Sequence, residues 1–377
     1  MLDPLRKNPQ VKRFEAEVKS RVIGQDRVID EVIQGFGRLL GGIRNPDRPL
    51  LTMLFMGPTG VGKTETVKAI ANSIFGSKKA FVRINCQEYA SSHNVAKLLG
   101  SPPGYVGSDI EPLLSQNNID RHHRAAFDEK RGMFGGADGK VDRLFPGNKE
   151  HYLSIVLFDE IEKASPVLWN TLLAILEDGT LTLGNNASVD LTRSIIILTS
   201  NVGSREMSQI IRGQIGFGGA EEIDADIEKT AMQAAKDVFP FEFLNRFDAI
   251  GVFRTLKEEH LFEILDIQIS EIHQRAVNSS VPFVLRMSDP VRRHLVEQGT
   301  DPEFGARPLR RVVEHYVVNP LSNLIGTNQV QPGDVITARL ADGKIVFQRE
   351  SRKDKSLVAV REPPQDGRMP AEPRKPE

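Results

Sequence analysis

Five short runs of apolar residues punctuate the first two-thirds of the chain. They are Leu51–Met56, Phe81–Ile84, Leu153–Phe158, Ile195–Thr199 and Ile250–Phe253. Each run is too short and too continuously apolar for a strand with one face in water. Such runs are typical of strands buried on both faces of a parallel sheet, with helices between them. The pattern therefore predicts a five-stranded parallel, three-layer α/β domain over residues 48–254.

The segments on either side of this domain are rich in helical periodicity. Residues 1–47 are predicted to form a helical lead-in, with helices over Val11–Ser20 and Asp26–Leu40. Residues 255–350 are predicted to form a small α+β C-terminal domain. Its expected elements are a helix over Leu256–Val277, a strand over Phe283–Met287, a helix opened by Ser288-Asp289-Pro290, a helix over Pro308–Ile325, and strands Val335–Leu340 and Lys344–Gln348 around an Ala-Asp-Gly turn. Residues 363–377 are rich in proline and charge, and we predict a disordered tail there.

Composition narrows the class of protein. The 49 Lys and Arg residues against 50 Asp and Glu give a net charge of −1, which argues against a wholesale polyanion binder. The single cysteine, Cys86, excludes an internal disulfide and a thiolate zinc cage, and we interpret it as a small core residue. No apolar stretch approaches the roughly 18 residues of a membrane span, and the charged N-terminus does not resemble a signal peptide. A cytoplasmic location without membrane contact is expected.

A glycine-rich motif follows the first predicted strand and precedes a predicted helix, which is the context of a phosphate-binding loop. Its residues are Gly57, Pro58, Thr59, Gly60, Val61, Gly62, Lys63 and Thr64. Backbone N–H groups of such a loop wrap the phosphates of a nucleotide. Lys63 is predicted to reach the β- and γ-phosphates, and the Thr64 hydroxyl to bind Mg²⁺. The alternative is a glycine-rich turn with a surface lysine.

Two adjacent acids, Asp159 and Glu160, end the third apolar run. The carboxyl end of a buried strand is where open α/β sheets place their ligands. Asp159 is predicted to hold Mg²⁺ through water, and Glu160 to polarise the attacking water. The pair therefore predicts a nucleotide hydrolase rather than a passive nucleotide-binding protein, and the alternative is a strand end followed by solvated charges.

Seven motifs in a fixed order resemble a known family. They are Val22-Ile23-Gly24-Gln25-Asp26, the phosphate loop, Gly104-Tyr105-Val106-Gly107, Asp159-Glu160-Ile161-Glu162-Lys163-Ala164, Leu198-Thr199-Ser200-Asn201, Phe243-Leu244-Asn245-Arg246-Phe247-Asp248 and Gly305-Ala306-Arg307-Pro308-Leu309. Together they resemble the AAA+ module of the Clp unfoldases, most closely the second module of ClpB, ClpA and ClpC, in a single-module form. The resemblance covers about residues 15–350. It implies a P-loop AAA+ ATPase that uses ATP and Mg²⁺.

The resemblance assigns further roles to single residues. Val22 and Ile23 would line the adenine pocket, or else pack at a helix start. Asn201 would orient the attacking water, or else cap a strand. Arg246 matches an arginine finger that reaches the neighbouring subunit's nucleotide, which implies a hexamer; its alternative is a structural salt bridge. Arg307 would touch the γ-phosphate, or else is a charge at a helix end.

Two loops are expected to contact other proteins. Gly104, Tyr105, Val106 and Gly107 match the pore loop with which the family grips polypeptide; the alternative is an ordinary turn with a packed tyrosine. Ile215-Gly216-Phe217 resembles the loop by which ClpA, ClpC and ClpX dock on the ClpP peptidase, and the alternative is a glycine-rich loop with an incidental core contact.

The spacing between two of the motifs departs from the family. Asp159 lies 54 positions after Tyr105, and we place the surplus at about residues 117–150. This insertion is expected either to project toward the axial channel or to be a solvated surface excursion. His122 and His123 lie there, but adjacent residues do not share a helix face, so we assign no metal to them.

Three functions are in competition. The first is an ATP-dependent protein unfoldase or disaggregase that threads unfolded or aggregated clients through a homohexameric ring. The second is the ATPase subunit of a ClpP-type protease. The third is an AAA+ motor acting on DNA, which the even charge balance and the aromatic residue of the pore loop disfavour. Nucleic acid is therefore not an expected partner.

Overall fold

The computed structural model describes residues 6–42, 45–101, 104, 110–129, 133, 152–213, 220–301 and 305–350. The chain divides into two compact units. The first unit holds the residues up to 268 together with 295–314, and the second holds 269–294 and the residues from 315 onward. No described helix is both long enough and apolar enough to cross a membrane.

The first unit is built on a parallel sheet. The described strands of the first unit are β1 (Leu51–Met56), β2 (Val82–Asn85), β3 (Ser154–Asp159), β4 (Thr180–Thr182), β5 (Ser188–Asp190), β6 (Ser194–Ser200) and β7 (Ala249–Val252). Five of them form the sheet in the order β2-β3-β6-β1-β7, and every neighbouring pair is parallel. The five apolar runs therefore predicted the sheet correctly.

Burial on both faces holds only for the three central strands, which are buried along their whole length. The prediction is wrong for the two edge strands. Arg83 of β2 is exposed, and β7 is partly exposed, because a strand at a sheet edge has a neighbour on one side only. The antiparallel hairpin of β4 and β5 was not predicted, since each of its strands has three residues and buries only one.

Helices cover both faces of this sheet. The α-helices in the described part of the chain are α1 (Pro9–Lys19), α2 (Asp26–Gly41), α3 (Lys63–Phe75), α4 (Ser92–Leu99), α5 (Gln116–Asp128), α6 (Pro166–Asp178), α7 (Ser204–Gly213), α8 (Ala220–Val238), α9 (Phe241–Leu244), α10 (Glu258–Val277), α11 (Asp289–Gly299), α12 (Arg307–Val313) and α13 (Asn319–Gly326). Side chains of β1 alternate between two apolar cores. Met53 and Phe55 pack with α1, α2 and α3, whereas Leu54 and Met56 pack with α4, α6 and α8. This alternation gives the predicted three layers.

The second unit contains a small sheet of its own. Its strands are β8 (Val284–Met287), β9 (Val335–Ala341) and β10 (Lys344–Arg349), with β9 in the middle, parallel to β8 and antiparallel to β10. Asp342 and Gly343 join β9 to β10 with φ of 48° and 72°, as a two-residue hairpin turn with the strand twist requires.

The segment predicted to be a helix over Pro308–Ile325 is helical throughout, but it is not one regular α-helix. The structure has α12, a π-helical turn over Glu314–Val318, and then α13. Pro320 has no N–H to donate to the carbonyl four residues earlier, so regular α-helical bonding cannot run through this segment.

Candidate active site

The phosphate loop joins the end of β1 to the start of α3 through three glycines with positive φ. The φ angles are 142° at Gly57, 80° at Gly60 and 112° at Gly62. A Cβ at Gly57 would lie 2.6 Å from the carbonyl oxygen of Phe253, so the loop backbone leaves no room for a side chain there. At Gly62 a Cβ would meet no atom closer than 4.0 Å, which leaves open space above the start of α3.

Lys63 is buried, with 9% of its surface exposed, so the surface-lysine alternative is wrong. Its Nζ donates to the carbonyl oxygens of Gly57 at 2.5 Å and Pro58 at 2.8 Å, and to Oδ1 of Asn201 at 2.8 Å. Burial lowers the pKa of Lys63 to about 8, although the nearby carboxylates, Glu162 foremost, raise it. Neutral oxygens thus hold an ammonium group in the loop, where a phosphate would be a stronger partner.

Asp159, at the carboxyl end of β3, is buried and has both carboxylate oxygens engaged. Oδ1 accepts a hydrogen bond of 2.5 Å from the Thr199 hydroxyl. Oδ2 accepts from Arg83, with Nη2 at 2.5 Å and Nε at 3.1 Å. The carboxylate is therefore held in one orientation, at the carboxyl ends of the strands, where the phosphate loop also lies.

Glu160 has an unusual backbone conformation. Its φ of 59° lies in the left-handed region, which is uncommon for a residue with a side chain and recurs at functional sites. Its N–H donates to the Thr199 hydroxyl at 3.1 Å, and its side chain is partly exposed. The turn separates the side chains of Asp159 and Glu160, one fixed in the interior and the other open to solvent.

Asn201 follows β6 and connects the phosphate loop to the acidic motif. Its Oδ1 accepts from Lys63, and its N–H donates to Oε1 of Glu162 at 3.1 Å. The other carboxylate oxygen of Glu162 is buried and, within the described residues, has no hydrogen-bond partner. The sequence analysis gave Glu162 no role, although its place two residues after Glu160 was the signal.

The segment before α2 packs against the phosphate loop. Val22 is buried, with Cγ1 4.0 Å from the position a Cβ at Gly62 would take, and Ile23 is half-buried. The structure thus places Val22 beside the phosphate loop and also packs it into the core, as its alternative at a helix start predicts.

Gln25 is a residue whose role the sequence analysis missed. Its Nε2 donates to the carbonyl oxygens of Val61 at 3.1 Å and Arg254 at 2.9 Å, and its Oε1 accepts from the Arg254 N–H at 3.0 Å. The buried amide therefore ties the lead-in segment to the phosphate loop and to the residues after β7. A polar residue inside an apolar helix start was the available signal.

The Gly305–Leu309 motif also reaches the phosphate loop. The Ala306 N–H donates to the Gly60 carbonyl oxygen at 3.3 Å, and a Cβ at Gly305 would lie 3.1 Å from the same oxygen. Arg307 is the next residue and begins α12 with an exposed side chain. The structure therefore brings Gly305 and Ala306, the two residues before Arg307, to the phosphate loop.

Arg246 lies apart from this group of residues. Its Nη2 is 3.0 Å from Oε2 of Glu177 and 3.6 Å from Oε1 of Glu242. Its carbonyl oxygen accepts from the side chains of Arg48 and Thr52. Within the described chain Arg246 thus makes the salt bridges of the structural alternative, and its guanidinium contacts neither Lys63 nor Asp159.

Several predicted residues lie outside the described residues: Tyr105, Val106 and Gly107 of the pore loop, Ile215, Gly216 and Phe217, and the tail 363–377. Gly104 is described, with a φ of 87° and no atom within 4 Å of a Cβ placed there. The first part of the proposed insertion, residues 117–128, belongs to helix α5. That helix buries Ile119 and Ala126, so this part is a packed element rather than a solvated excursion.

One histidine of the pair in α5, His123, has a structural role. His123 is buried, and its Nδ1 accepts a 2.8 Å hydrogen bond from the Leu153 N–H just before β3. Burial lowers the pKa of His123 to about 4. Cys86 is likewise fully buried, as predicted, and burial raises the pKa of its thiol.

The described residues fit a nucleotide and a hard cation. The glycine cradle is open at Gly62, the buried Lys63 has only neutral hydrogen-bond acceptors, and Thr64 and Asp159 offer the oxygen ligands that Mg²⁺ prefers. No cluster of three or more His, Cys, Asp or Glu residues that could hold a metal occurs in the described part of the chain. A cation here would therefore draw most of its ligands from phosphate and water.

Two family models match the chain. The AAA domain (Cdc48 subfamily) matches residues 48–126 and 138–250, and the C-terminal, D2-small domain of ClpB protein matches residues 256–338. The first match thus includes nearly all of α5 and passes over only residues 127–137.

The chain is also similar in sequence to individual Clp proteins. Chaperone protein ClpD, chloroplastic, of Arabidopsis thaliana is 38% identical over 333 residues, which are 87% of this chain and 32% of that protein. The ATP-dependent Clp protease ATP-binding subunit ClpC of Staphylococcus epidermidis is 38% identical over 315 residues, 83% of this chain and 34% of that protein. This chain therefore spans about a third of the length of these curated relatives.

A solved structure shares the fold. The S. cerevisiae Hsp104:casein complex in its extended conformation has a TM-score of 0.73 and 28% identity, over 92% of this chain and 53% of that one. The parallel sheet, the phosphate loop with its adjacent acids, and the family matches agree with the resemblance drawn from the motifs. This chain belongs to the Clp family of AAA+ ATPases.

Proposed function

We propose that this chain uses hydrolysis of Mg²⁺–ATP to unfold polypeptides and draw them through a hexameric ring. Lys63 binds the β- and γ-phosphates, and the Thr64 hydroxyl, with Asp159 acting through water, holds the Mg²⁺. The cation supplies positive charge that stabilises the transferring phosphoryl group. Glu160 polarises the attacking water, which Asn201 orients.

The observation that carries this proposal is the hydrogen bond of 2.8 Å between Lys63 and Asn201. It links the group that would bind phosphate to the group that would orient water. Asn201 is in turn bonded to Glu162 of the acidic motif. A nucleotide in the glycine cradle would therefore meet its charge partner and its hydrolytic groups together.

A ring is favoured by the different places of the two arginines. Ala306, the residue before Arg307, is bonded to Gly60 in the phosphate loop of its own subunit. Arg246 contacts Glu177 and Glu242 instead. An arginine that does not contact the phosphate loop of its own subunit is free to contact the nucleotide of a neighbouring subunit. Head-to-tail contacts of this kind can close into a ring of identical subunits.

Protein is the favoured substrate. The names of the relatives describe a chaperone and a casein complex. Tyr105 is flanked by Gly104 and Val106-Gly107, and an aromatic side chain offers broad apolar contact with little entropy to lose, which suits gripping many sequences. Unfolded and aggregated proteins are the proposed clients.

The experiment measures three quantities on one preparation of each variant: basal ATPase rate, ring assembly, and ATP-dependent loss of fluorescence of a folded protein with an unstructured tag. Tyr105→Ala should retain the first two and lose the third, while the control Tyr105→Phe retains all three. Unfolding at the wild-type rate by Tyr105→Ala would contradict the threading proposal. An ATPase rate stimulated by DNA rather than by unfolded protein would favour the DNA motor.

A second candidate is the ATPase subunit of a ClpP-type protease. It is favoured by the name of the Staphylococcus epidermidis relative, which describes such a subunit. Ile215-Gly216-Phe217 would supply an apolar plug for a pocket of the peptidase. Co-purification with a ClpP-type peptidase, lost when Ile215 and Phe217 are both changed to alanine, would support this candidate.

A further inference from the structure

The carboxylate of Asp159 already has a cation as its partner. Arg83, 76 positions earlier on the neighbouring strand β2, donates from both Nε and Nη2 to the same oxygen, Oδ2. The other oxygen, Oδ1, is taken by the Thr199 hydroxyl. Oδ2 is therefore paired with the positive charge of Arg83.

The two partners differ sharply in exposure. The side chain of Arg83 is 58% exposed, whereas that of Asp159 is 12% exposed. Val82 and Ile84 on either side of Arg83 are buried, so the arginine lies on the open face of the edge strand. The guanidinium thus reaches the carboxylate from solvent, while Thr199 fixes the carboxylate from within the sheet.

Because Arg83 is well exposed, water screens the pair and rehydrates the guanidinium when it leaves. Asp159 keeps its orientation when Arg83 leaves, because the bond from Thr199 to Oδ1 is independent of the arginine. A carboxylate oxygen that loses its guanidinium in a partly buried site needs another cation or its hydration shell. A hydrated Mg²⁺ meets that need.

We propose that Arg83 is a positioning residue that pairs with Oδ2 of Asp159 and competes for that oxygen with the hydrated Mg²⁺ that accompanies ATP. This inference rests on the proposed Mg²⁺ position at Thr64 and Asp159. The arginine and the cation compete for one oxygen, so Arg83 raises the Mg²⁺ concentration that tight nucleotide binding requires.

The experiment measures binding of a fluorescent, non-hydrolysable ATP analogue to the full chain while Mg²⁺ is titrated, and again in EDTA. Arg83→Gln removes the competitor, and it should lower the half-saturating Mg²⁺ concentration about three- to fivefold, the scale of an exposed ion pair. Affinity in EDTA should stay unchanged. Arg83→Lys keeps a charge near Oδ2 but loses the paired donors, and should lie between the two.

Arg13→Gln is the matched control, because Arg13 also loses one charge and one ion pair, with Glu17 at 2.8 Å on the surface of α1. It should leave the Mg²⁺ titration unchanged. Thermal unfolding with Mg²⁺ but without nucleotide gives a second readout, in which Mg²⁺ should stabilise Arg83→Gln more than the wild type.

Three results would overturn the inference. An unchanged Mg²⁺ titration in both Arg83 variants, with the wild type still dependent on Mg²⁺, would show that the pair is only structural. Weaker analogue binding by Arg83→Gln in EDTA would show that Arg83 contacts phosphate instead. A wild type with no Mg²⁺ dependence would remove the cation position itself, and with it the proposed function's use of Asp159.

Discussion

The ammonium nitrogen of Lys63 lies 2.8 Å from the side-chain oxygen of Asn201, across the ends of two adjacent strands, β1 and β6. Both residues sit at the carboxyl edge of the sheet, where the parallel register brings them together from 138 positions apart. Because Lys63 is buried, its charge state depends on this polar cluster.

ATP binding should weaken as the pH rises through 8. The pKa of Lys63 is lowered by burial to about 8 from an ordinary 10.5, so a growing fraction of chains has neutral Lys63 above that pH. ATP needs the ammonium form, and its affinity should fall by up to about tenfold per pH unit there. Equilibrium binding of a fluorescent ATP analogue between pH 7 and roughly pH 10 measures the slope.

Two variants make this test specific to Lys63. Lys63→Arg stays charged throughout the range and should lose the pH slope, whatever its absolute affinity. Lys63→Ala should lose nucleotide binding at every pH. The stability of the free chain should change in the opposite direction: the folded pKa lies below the unfolded one, so the unfolded chain binds more protons and folding gains stability between pH 8 and 10.5. A wild-type affinity that is flat across pH 8 would contradict the assignment.

Glu162 is expected to act through Asn201 and Lys63. Glu162→Gln removes the largest carboxylate contribution that keeps the pKa of Lys63 from falling further, so the midpoint of the pH profile for ATP binding should move to lower pH. Glu162→Ala also removes the acceptor of the Asn201 N–H and should lower turnover by about tenfold, the cost of a hydrogen bond to a charged group.

The control for Glu162 is Glu17→Ala, which removes a surface carboxylate of α1. It should change neither turnover nor the pH profile. A double variant with Asn201→Ala gives a further check, because residues that act as a unit are not additive. Additive losses of turnover would show that Glu162 does not work through Asn201.

Stability should fall between pH 7 and pH 5 because of His123. The pKa of this buried imidazole is lowered to about 4 from 6.5, so the unfolded chain takes up protons that the folded chain refuses in this window. The full stabilisation is present above pH 6.5 and is lost as the pH falls toward 4. The loss by pH 5 should be on the order of 1–2 kcal/mol, measured by urea unfolding.

His123→Asn keeps an acceptor for the Leu153 N–H but cannot be protonated, so it should flatten this dependence. Asp120, one turn earlier on α5, is buried and has a raised pKa, which acts in the opposite direction in acid. The comparison is therefore made above pH 5. An equal slope in wild type and His123→Asn would assign the pH dependence to other groups.

Local pattern predicted the elements of the site but not its long-range bonds. The phosphate loop, the acids after β3 and the asparagine after β6 each follow an apolar run, and parallel strands place their ends at one edge. The bond from Arg83 to Asp159 instead depends on the register of two strands and the reach of a long side chain. The spacing of residues along the chain predicts neither the strand register nor the reach of the side chain.

The same limit explains Gln25 and the hairpin of β4 and β5. Gln25 acts on Arg254, 229 positions later, so its partner has no local signal. The hairpin strands have three residues each, which is too short for a period to be read. Arg246 is the converse case. Its motif predicts a role between subunits, whereas one chain alone shows only the salt bridges that hold the side chain.

The assignment of Arg246 is tested by mixing two inactive variants. Glu160→Gln should bind ATP but not hydrolyse it, because the amide cannot polarise water. Arg246→Ala should lower hydrolysis by about 10³-fold or more if the guanidinium acts on a neighbour's nucleotide. In a mixed ring, an intact Glu160 of one subunit can face an intact Arg246 of the next. Mixtures should therefore hydrolyse ATP faster than either variant alone, at a rate that depends on the mixing ratio.

A matched control separates this outcome from a loss of fold. Glu177→Gln removes the nearer of the two carboxylate partners of Arg246, at 3.0 Å, and leaves the arginine in place. If the salt bridge only holds the structure, Glu177→Gln and Arg246→Ala should lower the melting temperature alike and leave the mixtures no faster than their parents. If Arg246 acts between subunits, Glu177→Gln should keep most of the ATPase activity, since releasing the guanidinium does not remove it. The ATPase rate of the mixtures, measured with the melting temperature of each variant, decides between the two roles.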